Sequence, residues 1–183
     1  MTPNRRQILL CAGGAAVSAA VPACVARAHT PYGQWVVYRQ KHLLVGAHRG
    51  DGRTYELAQT VVAALGRELP DARARVARGP RPQRIASLMS TGQLRVAVIR
   101  QDEAVLMAAG APPFEGYLPT PLLVMAALID DYFVYGSPDL PEDHAWLVTE
   151  ALDAARIGTA PQAGPIPPHP GARLYWNGGA TPG

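Results

Sequence analysis

Between Leu43 and Ala109 short apolar runs alternate with helix-length apolar stripes, and that alternation leaves the chain few ways to fold. Leu43 to Ala47 reads as a buried strand, and His48-Arg49-Gly50-Asp51-Gly52-Arg53-Thr54 as a glycine-bearing turn. Leu57, Val61, Leu65 and Leu69 then recur every four residues with Ala58 and Val62 beside them, which predicts a helix over 54–69 stopped by Pro70. A second unit follows: a strand over 74–77, the loop Arg78-Gly79-Pro80-Arg81-Pro82, and a helix face at Ile85, Leu88 and Met89 closed near Gly92. The third strand, Leu94 to Ile99, is rich in branched residues, and Arg100-Gln101-Asp102 leads into a helix over 103–109. Strands alternating with helices imply parallel pairing and right-handed crossovers, hence an α/β fold with a mixed, mostly parallel sheet and flanking helices. Ligands of such sheets sit at the carboxyl ends of the strands.

Beyond the linker Gly110-Ala111-Pro112-Pro113, the stretches 122–128 and 132–135 read as two tightly joined strands around Asp130-Asp131, a pair of carboxylates that suits a solvated turn. Pro141-Glu142-Asp143 opens a last helix, expected to run to about Arg156. From Gly158 to Gly183 there are six Pro and six Gly, so this stretch is expected as an extended tail lying along the domain. With 183 residues, 48% of them apolar, the chain suits one domain over 29–157, preceded by a leader over 1–28 and followed by the tail over 158–183.

The leader accounts for the net charge of +3, because residues 1–28 hold Arg5, Arg6 and Arg27 and no acid, leaving fourteen basic against fourteen acidic side chains. A basic surface for nucleic acid is therefore not expected, and no nucleic-acid motif is present. Arg5-Arg6, the uncharged run from Ile8 to Ala26 and Ala26-Arg27-Ala28 have the order of an export signal, and Asn4-Arg5-Arg6-Gln7-Ile8-Leu9 suits the twin-arginine route to the periplasm. Both cysteines, Cys11 and Cys24, lie in this leader, so the cleaved chain has no thiol. Two alternatives are a retained membrane anchor and a lipidated Cys24 after Val21-Pro22-Ala23.

The turn after the first strand is the first candidate site. Gly50 and Gly52 allow close backbone approach, the amides opening the following helix face an anion, and Arg49 and Arg53 add charge-assisted bonds. Arg78 and Arg81 at the second loop, and Gln101 and Asp102 at the third, should converge on the same edge. The same glycines also serve a turn that binds nothing. Nucleotide loops are excluded by spacing, since neither G-x-x-x-x-G-K-S/T nor G-x-G-x-x-G occurs here. Enzyme signatures are missing too: the five histidines lack metal-ligand spacing, and Ser87, Ser90 and Ser137 stand in no nucleophile elbow. The expectation is a non-catalytic protein without metal or cofactor. Trp146 and Trp176 read as packing residues.

Four stretches resemble the TAXI-type solute receptors of TRAP transporters, which are periplasmic binding proteins. They are Gly52-Arg53-Thr54-Tyr55; Arg78-Gly79 through Leu88-Met89-Ser90-Thr91-Gly92 to Arg100-Gln101-Asp102; the closing helix from Asp139 to Leu152; and Ile166-Pro167-Pro168-His169-Pro170-Gly171-Ala172-Arg173-Leu174-Tyr175. The resemblance implies a periplasmic-binding-protein-like lobe, with Thr54, Tyr55 and Gly79 joining the candidate ligand contacts. It also implies a small carboxylate or amino acid as solute and TRAP membrane subunits as partners. The chain passes from first-lobe elements straight to the closing helix, so a single lobe is expected, unable to clamp a ligand. An accessory module that docks another periplasmic protein or self-associates is the alternative.

Overall fold

A computed structural model of the chain describes residues 41–182; the expected leader, with the cleavage site and the Cys24 alternative, lies outside the described residues. The first unit forms as its periodicity predicts: β1 (Leu44–His48), then α1 (Gly52–Glu68), whose Leu57, Ala58, Val61, Ala64 and Leu65 are buried. Asp51 caps α1, its side chain accepting from the Arg53 amide, and Pro70 in a short 3₁₀ turn ends it. Burying a side chain such as Leu65 contributes about 1.5–3 kcal/mol. The second unit is β2 (Arg75–Gly79) with α2 (Pro82–Ser90), and the third is β3 (Val96–Arg100) with α3 (Gln101–Ala109). Then come β4 (Leu123–Ala127), β5 (Tyr132–Gly136) and α4 (Glu142–Ala154).

The strands form one sheet in the order β2-β1-β3-β5-β4. β1 is parallel to both β2 and β3, while β5 is antiparallel to both β3 and β4. Hence β1 to β4 all end on one edge, and β5 starts there. The alternation of side chains along the strands divides the core between the two faces. Val45, Val96, Val98 and Val134 pack with α1 and α4, while Ala97, Ile99 and Tyr135 pack with α2 and α3. Gly46 has no room for a side chain, because a Cβ there would collide with Leu94. The described residues thus form one α/β lobe with a mixed sheet.

The join between β4 and β5 is a tight hairpin. Asp130 and Asp131 both have positive φ, 53° and 61°, as a two-residue turn matching strand twist requires, and the Tyr132 amide donates to the Ile129 carbonyl at 3.0 Å. The carboxylates expected in a solvated turn are there because Asp tolerates the left-handed region.

The tail lies along the domain but is not extended throughout. It pairs with the outer edge of β4, through Thr159 with Ala127 and Pro167 and His169 with Val124, and so covers an edge that would otherwise be open. It then forms a helix, α5 (Pro170–Trp176), which the Pro and Gly count hides. Pro170 takes the first helical position and His169 caps it, Nδ1 accepting from the Gly171 amide at 3.3 Å. His169 Nε2 donates to the Leu140 carbonyl at 3.1 Å, and at Gly171 a Cβ would run into the Glu142 carbonyl, so only glycine lets α5 approach α4 this closely. Trp146 and Trp176 are packing residues, their indole N–H groups donating to the Gly179 and Met125 carbonyls at 3.0 and 2.9 Å.

Burial lowers the His169 pKa below its ordinary 6.5, against the opposing effect of its bond to Leu140. The unfolded chain therefore takes up a proton more readily than the folded one. His169 contributes stability in full above about pH 6.5, and loses it as the pH falls from there towards the folded value. Urea unfolding across pH 5 to 8 should show that loss, and His169→Asn should flatten this part of the profile; an unchanged profile in the variant would assign the loss elsewhere.

Candidate functional site

The carboxyl edge gathers the loops expected to converge: Arg49 to Thr54 after β1, Arg78 to Arg81 after β2, and Gln101 and Asp102 after β3. Backbone bonds tie them together. The Arg49 amide donates to the Gly79 carbonyl at 3.0 Å, and the Gln101 amide to Asp131 of the hairpin at 2.9 Å. Gly50 and Gly52 are exposed, and nothing stands within 4 Å of a Cβ added at Gly52.

The electrostatics of this edge differ from a bare cationic cradle. At the start of α1 the negative group is the chain's own Asp51, which accepts from the Arg53 amide at 2.9 Å, from Thr54 Oγ1 at 3.0 Å, and from the Tyr132 hydroxyl. Partial burial pushes the Asp51 carboxyl up, but those bonds outweigh it and hold it below its ordinary 3.8. The Tyr132 hydroxyl, desolvated and bonded to a carboxylate, is pushed up to about 12. Thr54 is buried in this cluster and is a cap partner.

Three of the arginines on the edge are also matched. Arg53 bridges Glu56 and Asp130, each at 3.4 Å, and Arg100 grips Asp102 through two bonds of 2.6 and 2.7 Å. That grip, more than any other effect, holds the Asp102 carboxyl below its ordinary value. Arg78 stacks over the Tyr55 ring, its guanidinium 4.3 Å from the centroid, so these two serve each other. Gln101 begins α3 with its side-chain amide against Gly164 of the tail. Arg49 and Arg81 remain exposed and make no ion pair among the described residues.

One pair escapes sequence reading. His48, 4% exposed at the end of β1, holds Glu103 of α3 through Nε2 at 2.9 Å, and its Nδ1 is buried without a partner. The two lie 55 residues apart, and only the β1–β3 neighbourhood brings them together. Tyr132 was equally hidden, being the first residue of β5 and 81 residues from the carboxylate it bonds. Among the described residues no three His, Cys, Asp or Glu side chains converge as metal ligands would. No known protein-family profile and no curated protein matches the chain.

The Asp51 cluster should act as a latch between the glycine turn and the hairpin. Tyr132→Phe removes a hydrogen bond to a charged group and should cost about 1.5–3 kcal/mol in urea unfolding. Asp130→Asn, which touches only an exposed ion pair, should change stability by less than about 1 kcal/mol. Equal losses in the two variants would remove the latch.

Proposed function

We propose that the protein is a non-catalytic, solute-binding-like protein of the periplasm that holds a small anionic solute weakly at the carboxyl edge of its sheet. The observation that carries this reading is the convergence there of two exposed glycines, the uncapped start of α2 and the unmatched cations Arg49 and Arg81. Helix N-termini and guanidinium groups favour anions through aligned N–H donors and charge. The resemblance to TAXI-type receptors in the glycine turn and the Pro-x-His-Pro-Gly-Ala stretch points the same way, to a carboxylate or amino acid delivered to a TRAP-type transporter. The geometry of the second stretch accounts for it as a clasp between α5 and α4, so the solute reading rests on the edge rather than on that stretch.

Weak binding follows from the single lobe. The hairpin of Asp130 and Asp131 carries the chain directly from β4 into β5, and one open edge leaves much of a ligand's surface in water. The alternative, an accessory module docking another protein, would gain from an apolar patch on this edge. Ile129, 51% exposed at the hairpin tip, stands there, and one such side chain is ordinary on a surface.

A thermal-shift series with dicarboxylates, amino acids and inorganic anions tests the reading. At ligand concentrations a hundredfold above Kd the expected stabilisation is about 2.7 kcal/mol. No shift with any anion, together with a stable dimer or heterocomplex by sizing, would transfer the edge to protein docking.

A further inference from the structure

Within the carboxyl edge the cations fall into two groups. Arg53 in the first turn of α1 is matched by Glu56 and Asp130, and Arg100 before α3 by Asp102, whereas three arginines around the start of α2 are not matched. Arg49, Arg81 and Arg84 are all exposed and make no ion pair among the described residues. The backbone brings them to one place: the Arg49 amide bonds the Gly79 carbonyl, and a Cβ on Gly79 would stand 3.4 Å from the Arg81 carbonyl and 3.5 Å from Arg84 Cβ. Helix α2 begins here with no side-chain cap and no acid in its first turn. Pro82 has no N–H and the Arg84 amide donates to the Arg81 carbonyl at 3.1 Å, so the Gln83 amide is the first-turn donor left at the positive end of this helix, without the carboxylate that α1 carries.

A second, independent feature points to the same place. His48 is 4% exposed, and its Nδ1 has no hydrogen-bond partner. That nitrogen lies beneath the Gly50 turn, beside the start of α2: a Cβ on Gly50 would lie 3.2 Å from it and 3.8 Å from Pro82 Cδ. With Nε2–H donating to Glu103, the other nitrogen of an uncharged imidazole is a lone-pair acceptor. A buried acceptor without a donor is costly. A ligand that satisfies it must carry its own proton close to its negative charge.

We propose that the start of α2, with Arg49, Arg81, Arg84 and His48, is a site for inorganic hydrogen phosphate. This deepens the anion-binding reading and rests on it. The ligand's charged oxygens meet the three guanidinium groups and the Gln83 amide, and its O–H donates to His48 Nδ1 once the Gly50 turn lifts. Glycine at position 50 gives the backbone freedom for that movement. Carboxylates and sulfate carry no O–H at neutral pH and would set a lone pair against a lone pair. A site built to receive a hydrogen bond rejects an analogue that cannot donate it.

Calorimetric titration of the purified protein at pH 8 with phosphate, a phosphomonoester, sulfate and succinate tests this. Phosphate should bind more than about tenfold tighter than sulfate, a difference above 1.4 kcal/mol. The phosphomonoester, having lost its last proton at this pH, should follow sulfate. Arg49→Ala with Arg81→Ala should weaken phosphate at least tenfold, while Arg67→Ala at the far end of α1 should not. Since His48 variants risk unfolding, nitrogen NMR of labelled histidine supplies the second readout: one buried ring should show its acceptor nitrogen shift on phosphate addition. Equal phosphate and sulfate affinity, or an unmoved histidine nitrogen, overturns the proposal. Succinate binding without phosphate binding overturns it while leaving the broader reading intact, and the absence of any anion binding overturns both.

Discussion

The carboxylate of Asp51 is the constraint on which the working edge depends. It caps α1, accepts from Thr54 one turn into that helix, and receives the Tyr132 hydroxyl from β5 across the sheet. One side chain therefore fixes the end of β1, the start of α1 and the exit of the hairpin relative to each other. Because the charge at the α1 terminus is supplied from within, the positive end of that helix is already neutralised. An anion approaching this edge meets the pairs Arg53–Asp130 and Arg100–Asp102 as well, both closed by the chain's own carboxylates.

That leaves an asymmetric edge. On the α1 side the glycine turn is latched and matched; on the α2 side an uncapped helix start, unmatched arginines and an unsatisfied imidazole nitrogen stand together. Buried polar groups normally find partners within a protein, so an unsatisfied imidazole nitrogen beside exposed arginines and an uncapped helix start is the feature that singles out this point. Topology explains why the point lies here: β1 and β2 are parallel neighbours, so their turns end side by side.

Much of this was legible in the sequence. The four-residue spacing of Leu57, Val61 and Leu65 located α1, the branched run ending at Ile99 located β3, and Asp130-Asp131 located the hairpin, because local periodicity and turn chemistry decide those elements. The candidate loops also came together as the strand–helix alternation required. What stayed hidden was non-local or masked by composition. His48 with Glu103 and Asp51 with Tyr132 join residues from separate units, and no spacing rule encodes such contacts. The Pro and Gly content of the tail hides helix α5, although Pro170 after a capping His169 is a start signal at the level of single positions. The matching of Arg53 by Asp130 depends on how the hairpin folds over the edge, so the sequence alone could not separate the closed cations from the open ones.

The division of the edge is tested most directly by amide hydrogen exchange with and without saturating phosphate. The account predicts new protection at Gln83 and altered exchange in the turn around Gly50, with the capped amide of Arg53 at the start of α1 unchanged. Protection confined to the α1 start, with Gln83 exchanging as before, would contradict it.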